Sequence, residues 1–150
     1  MIAAALLAAG AVALAPGPNL RVASVGTQAR AASLGELILP TRIRNAGNRR
    51  AGASHTRFVL SRDRVRGGDV RLSSVPVAAL RAGRSRTITA MLHVPAGLKR
   101  GSWYVIACAD GRHAVAERSE RDNCRASGEP IAVLPEILPE LPPPPDEEAG

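Results

Sequence analysis

Between residues 18 and 134 the chain never sustains the 3.6-residue apolar stripe of a surface helix. It alternates instead, in short runs separated by Gly, Pro, Asn and Ser. Side chains on a strand point to opposite faces in turn, so alternation marks a half-buried strand. Leu20 and Val22 alternate with Arg21 and Ala23. Leu37, Leu39, Thr41 and Ile43 alternate with Ile38, Pro40, Arg42 and Arg44. Thr56, Phe58 and Leu60 alternate with Arg57 and Val59. Val70 and Leu72 follow Gly67-Gly68, and Ile88, Ala90, Leu92 and Val94 share a face. Trp103, Val105 and Ala107 oppose Tyr104, Ile106 and Cys108, and a last run is Pro130 to Leu134. About seven strands of this kind predict an all-β chain, an antiparallel sandwich in which two sheets bury their facing sides. Pro40 lacks a ladder donor and predicts an edge position or a bulge in its strand. Asn45-Ala46-Gly47 and Arg66-Gly67-Gly68-Asp69 read as turns, because Gly and Asn tolerate positive φ.

The ends differ from this body. Residues 2–15 are an apolar run, IAAALLAAGAVALA. It is too short for the about 20 residues that cross a bilayer, so no transmembrane segment is expected. The run closes on Ala13-Leu14-Ala15 before Pro16, a cleavage pattern of exported chains, so residues 1–15 are expected to be a signal peptide. No Lys or Arg precedes the run. Either the start lies upstream or the segment is a short Ala-rich helix. Residues 135–150 hold Pro142 to Pro145 and five acids, which favours an extended or disordered Pro-rich tail. The expected organisation is therefore a leader over 1–15, a sandwich over 18–134 and a tail over 135–150.

Charge follows the same division. From Asn19 to Ile131 there are 20 bases and 8 acids, a balance of +12. From Ala132 onward there are no bases and 5 acids. A basic body attracts polyanions. Arg42 and Arg44 share one strand face, Arg49 and Arg50 follow in a turn, and Arg84 and Arg86 open another strand. If those strands are neighbours, the six form a polyanion-binding stripe, since guanidinium forks match phosphate and carboxylate. The alternative is a solvated surface. Phe58, Trp103 and Tyr104 are the only aromatics, too few for a base-stacking platform. No nucleic-acid-binding motif accompanies the arginines, and nucleic acid is not expected as a partner.

Cys108 and Cys124 stand 16 positions apart with no Cys-x-x-Cys pair, which removes zinc-ribbon and thioredoxin chemistry. In an exported chain a disulfide between them is expected, two buried free thiols being the alternative. Several segments together resemble the CARDB domain, the cell adhesion related domain found in bacteria. They are Pro18-Asn19-Leu20-Arg21-Val22, Ile43-Arg44-Asn45-Ala46-Gly47, and Phe58-Val59-Leu60-Ser61-Arg62-Asp63 followed by Gly68-Asp69-Val70. Leu80-Arg81-Ala82-Gly83, the strand from Gly101 to Asp110, and Val115 to Cys124 complete the series. The resemblance covers about 18–126 in order and spacing, with Asp122 a departure where the family has Asn. It implies an immunoglobulin-like sandwich on secreted or cell-surface proteins. It further implies a binding or spacer module and not an enzyme. With the apolar leader, the strand pattern and the cysteine pair, the expectation is an exported binding or adhesion module that meets a protein or cell-surface polymer. A structural spacer of the envelope is the alternative.

Candidate chemistry is sparse. His55, His93 and His113 accompany no G-x-S-x-G elbow, and no catalytic residue is assigned. His93 lies opposite the inward face of Leu92 and Val94 and should point to solvent. Asp110, Glu117, Glu120 and Asp122 fall within 13 residues and could hold calcium, which takes 6–8 oxygen ligands. Arg112, Arg118, Arg121 and Arg125 interleave with them, and this balance favours ion pairs over a cation. No other cofactor is expected. Asp63 and Asp69 bracket a second loop, read as turn-forming.

Overall fold

A computed structural model describes residues 15–27, 30–32, 35–67 and 69–134. The leader up to residue 14, Gly68 and the 135–150 tail lie outside the described residues. Nine strands follow in order: β1 (Leu20–Val25), β2 (Arg30–Ala32), β3 (Glu36–Asn45), β4 (Ser54–Ser61), β5 (Val70–Val77), β6 (Ser85–His93), β7 (Gly101–Cys108), β8 (Cys124–Ala126) and β9 (Ile131–Leu134). No helix occurs among the described residues. One sheet has the order β1-β3-β6. The other has the order β2-β9-β7-β4-β5, with β8 added to β7. Pairing is antiparallel except where β2 runs parallel to β9. The all-β sandwich expected from the alternation is what the chain forms. β2 and β8 are the strands the pattern did not reveal, because three residues are too few to display a period.

The faces follow the sequence alternation. Leu37, Leu39, Thr41 and Ile43 of β3 are fully buried, as are Thr56, Phe58 and Leu60 of β4. Ala90, Leu92 and Val94 complete the first sheet's inner side, and Trp103, Val105 and Ala107 bring β7 into the same core. Trp103 is 7% exposed and its indole N–H donates to the Lys99 carbonyl at 2.9 Å. Burying a large side chain of this kind contributes about 2–3 kcal/mol. Tyr104 points the other way, beneath a loop.

Residues 62–66, between β4 and β5, make that loop. Alternate arginines reach back over β7. The Arg62 guanidinium lies 4.1 Å from the Trp103 ring centroid and that of Arg64 lies 5.0 Å from Tyr104. Arg66 reaches the Cys124 sulfur at 3.2 Å. Guanidinium–ring contacts of this exposed kind contribute about 0.5–1 kcal/mol each.

Two sequence expectations change their reason. Pro40 lies in β3, the central strand of its sheet, not an edge strand. However, β1 pairs with β3 only as far as Thr41, and the Gly26 N–H donates to the Pro40 carbonyl at 2.7 Å. The missing donor faces Gly26, one residue beyond the last β1–β3 pair of Val25 and Thr41, so it falls at the end of that ladder and not within it. The nearest register shift is in β1, between Val22 and Ser24. Gly47 does turn the chain, yet positive φ is found at Gly67 (142°), Gly83 and Gly101 and not there. A Cβ on Gly47 would stand 2.2 Å from the Gly17 carbonyl oxygen. Close passage of residues 17–19 is what requires glycine.

That passage is organised by Asn45, which is fully buried. Its Oδ1 accepts the N–H of Asn19 at 3.1 Å and of Gly47 at 3.0 Å. Its Nδ2 donates to the carbonyls of Arg49 (2.8 Å) and Leu80 (3.1 Å). One side chain thus ties the entry segment, the turn and the bridge between Ala51 and Leu80 together.

Candidate functional site

The loop from Ala109 to Asn123 leaves β7 and returns as β8, closed at its base by the Cys108–Cys124 disulfide. The expected bridge is formed. Asp110 starts the loop in the left-handed region (φ 47°) and is 1% exposed. Its carboxylate accepts the N–H groups of Ala114 (2.8 Å) and Val115 (3.0 Å), so it serves as the loop's internal scaffold.

Glu117 returns toward the sandwich. Its Oε2 accepts the Leu20 N–H at the start of β1, and its Oε1 accepts the Asn123 Nδ2 at 2.9 Å. The same Nδ2 faces Glu120 Oε2 at 3.2 Å and the Ala109 carbonyl at 3.3 Å. One carboxylate oxygen each from Asp110, Glu117 and Glu120 lies within 4.8 Å of the others. Burial pushes the Glu117 carboxyl up to about 7. The charges of Glu120 and Asp110 add to that, against the hydrogen bonds from Leu20 and Asn123.

Of the four acids the sequence grouped, three converge and Asp122 does not. Asp122 pairs with Arg21 of β1 at 2.5 Å and accepts from Asn19 Nδ2 at 3.1 Å. Burial alone would raise its carboxyl. The hydrogen bonds from Asn19 and Arg21, with the Arg21 charge, outweigh it and lower it. The interleaved arginines do not neutralise the cluster. Among the described residues, the ion pairs at this end are Arg21–Asp122 and His113–Glu120, the latter at 3.5 Å. Arg118 donates instead to the Ala46 carbonyl at 3.1 Å. Among the described residues, none of Arg112, Arg118, Arg121 and Arg125 forms a salt bridge with these carboxylates, and Arg125 lines a groove beside β1.

The arginine stripe is also rearranged. Arg42 and Arg44 face outward on β3, as alternation requires. Arg49 and Arg50 are exposed in the following turn, and Arg84 lies in the turn before β6. Arg86 is registered against Ile43, whose side chain is in the core. Cross-strand partners share a face, so Arg86 stands on the opposite side of the sheet from Arg42 and Arg44. The six do not form one stripe. Arg44 is instead directly opposite Arg21. These two line an open groove of about 430 Å³ with Arg125, Val22, Ala23 and Ala46. Arg21 could have been found from its alternation with Leu20 and Val22; Arg125 sits on a strand too short to read. A second groove, of about 360 Å³, is lined by Arg57, Arg66, Arg71 and Asp69.

The histidines lie on three separate elements. His55 opens β4, His93 ends β6 exposed and 3.7 Å from Glu36, and His113 sits in the acidic loop with φ 53°. No helix among the described residues is long and apolar enough to cross a membrane.

The two facing sheets form an immunoglobulin-like sandwich, with the entry segment at residues 18–20 tied to the disulfide-closed loop. The sequence model of the CARDB family matches residues 17–127, and the chain belongs to that family. Two solved structures show the fold. One is a CARDB domain from Pyrococcus furiosus, solved in complex with di-metal ions. It is 15% identical, with a TM-score of 0.57, over 79% of this chain and 90% of that one. The other is a domain of a protein ascribed to the cell surface of Methanosarcina acetivorans, 17% identical over 78% of this chain and 92% of that one, TM-score 0.57. A β-glucosidase from Erythrobacter marinus, 14% identical with TM-score 0.53, matches 78% of this chain but only 16% of its own length. That likeness is to one domain of the enzyme chain. No curated protein matches.

Proposed function

We propose that this chain is an exported, non-catalytic interaction module that presents its sandwich to a protein or to a polymer of the cell surface. The observation that carries the reading is the Arg21–Arg44–Arg125 groove, where β1, β3 and β8 bring three guanidiniums to one open surface of a cell-surface-type domain. Asp122 offsets Arg21, leaving Arg44 and Arg125 as the groove's principal hydrogen-bond donors toward an anion. Such a surface suits a polymer that repeats phosphate or carboxylate groups. The disulfide and the apolar leader support an oxidising, extracytoplasmic location.

The test is retention of the purified chain on isolated envelope polymers, anionic and neutral. Binding to one anionic polymer that persists at about 0.3 M salt, and weakens at least tenfold in Arg44→Ser/Arg125→Ser, supports recognition. Binding that disappears at that salt for every polymer reduces the reading to general charge attraction. A chain that binds no envelope protein or polymer leaves the spacer role in its place.

A further inference from the structure

We propose that the groove lined by Arg57, Arg66 and Arg71, on the outer face of the sheet that holds β4, β5 and β7, is a binding site for a phosphate monoester group. It is separate from the Arg21–Arg44–Arg125 groove and stands whether or not that groove holds a polymer. The three guanidiniums come from three elements: β4, the loop after it, and β5. Asp69 is the one acid lining the groove, so three bases minus one acid give it a formal +2.

The first observation is how the register aims these side chains. Arg57 stands opposite Cys108 and shares a face with Val59, because Phe58 between them is in the core. Continued unbroken from the Phe58–Ser73 pair, the β4–β5 register would set Arg71 opposite Leu60, which is fully buried. Instead it shifts between Phe58 and Val59, with Leu72 as the extra residue. A bulge of this kind re-aims the side chains that follow it. Arg71 then opposes Val59, on the face that carries Arg57, while Val70 opposes Leu60 and packs against the core.

The second observation is that these donors are unspent. Among the described residues, neither the Arg57 nor the Arg71 side chain has a hydrogen-bond or ion-pair partner, and Arg57 is half-buried. Arg66 rests on the disulfide, its Nη1 3.2 Å from the Cys124 sulfur and 3.5 Å from the Cys108 sulfur. Sulfur is a weak acceptor, so the guanidinium keeps its capacity for a stronger one. Asp69 is not their counterion: its Oδ2 accepts the Gly67 N–H at 3.0 Å, and it forms no ion pair with the three arginines. Like charges lining one groove repel, and an anion between them removes that cost. The Arg57 stem is also walled in. A Cβ on Gly111 would stand 2.6 Å from the Arg57 Cβ, and the Gly111 N–H is fixed to the His55 carbonyl at 2.8 Å. A donor held in place before binding loses less freedom on binding.

The donor set selects the anion. Guanidiniums match both carboxylate and phosphate. A carboxylate offers two oxygens in one plane. A phosphate monoester offers three directed to separate corners, one for each arginine. Its charge of about −2 at neutral pH balances the groove, whereas a sulfate ester or a phosphodiester carries a single charge. The groove encloses about 360 Å³, which leaves room for the group that bears the phosphate.

Calorimetric and NMR titration of the full chain with glycerol 1-phosphate, dimethyl phosphate and methyl sulfate at about 0.1 M salt tests the assignment. Glycerol 1-phosphate is expected to bind one-to-one with a dissociation constant on the order of 0.1–1 mM, and the other two at least fivefold more weakly. In the unaltered chain the Arg57 side-chain Nε–H resonance should shift on its addition, a readout that needs no variant to fold. Arg71 is exposed, so Arg71→Ser should keep the melting temperature and weaken binding at least tenfold. Arg44→Ser/Arg125→Ser should bind glycerol 1-phosphate as the unaltered chain does, which separates this site from the polymer reading. No heat at about 10 mM glycerol 1-phosphate, an unmoved Arg57 resonance, or undiminished binding by Arg71→Ser would each overturn the proposal. Equal affinity for dimethyl phosphate would overturn the assignment to a monoester.

Discussion

Replacing Asn45 by Ala removes a joint that four backbone groups share, and the structure sets the size of the effect. The substitution deletes two accepted and two donated hydrogen bonds. They are not equal losses. The Leu80 carbonyl still accepts the Ala51 N–H at 2.8 Å, and Arg49 is exposed, so water can serve its carbonyl. The Asn19 N–H is different, since Asn19 is 1% exposed and water cannot reach it without opening the turn. An orphaned buried donor costs about 1–3 kcal/mol, and each net bond lost adds about 1 kcal/mol. The expected destabilisation is about 3 kcal/mol. With a urea slope of about 1.5 kcal/mol per molar, the unfolding midpoint should fall by about 2 M at unchanged slope, followed by Trp103 fluorescence. Arg50→Ala, in the same turn but exposed, should change stability by less than about 0.5 kcal/mol. A loss below about 1 kcal/mol in Asn45→Ala would refute the reasoning, because it would show that the entry segment holds its path without this side chain.

Two further outcomes follow from the loop. Opening the Cys108–Cys124 bridge, by reductant or as Cys108→Ser/Cys124→Ser, should cost about 3 kcal/mol for a separation of 16 residues. Amide exchange should then be fastest in β8, which has only three residues and pairs with β7 alone; protection of β8 equal to that of β4 after reduction would contradict this. Burial holds a proton on Glu117 in the folded chain up to about pH 7, whereas the unfolded chain releases it near 4.5. The folded state binds more protons between those values, so stability should decline as pH rises through that window. Urea unfolding at pH 5 and pH 7.5 should show a decline that is smaller in Glu117→Gln; parallel profiles would show that this carboxyl is not its source.

Much of the fold is legible in the sequence because strand alternation is a local property. Leu37 to Ile43, Thr56 to Leu60 and Ala90 to Val94 declare their buried faces in steps of two, and each lies where that period puts it. Trp103 and Tyr104, adjacent in sequence, fall on opposite sides for the same reason. The two cysteines, read with an apolar leader, gave the disulfide. The ordered motif series from Pro18 to Cys124 carried the family.

What remained hidden depends on register and loop path, which bring distant residues together. Alternation placed Arg42 and Arg44 outward but could not say that Arg21 is their neighbour, nor that Arg86 stands against Ile43 on the other side. Gly47 reads as a flexible turn residue until residues 17–19 pass beside it. Sequence proximity alone set Arg112, Arg118, Arg121 and Arg125 against the acids of the loop. The tertiary structure sends Arg118 to a carbonyl, Asp122 to Arg21, and Asn123 into the midst of three oxygens. The period of a strand fixes which side a residue takes, and only the closing of the two sheets and their loop decides what meets it there.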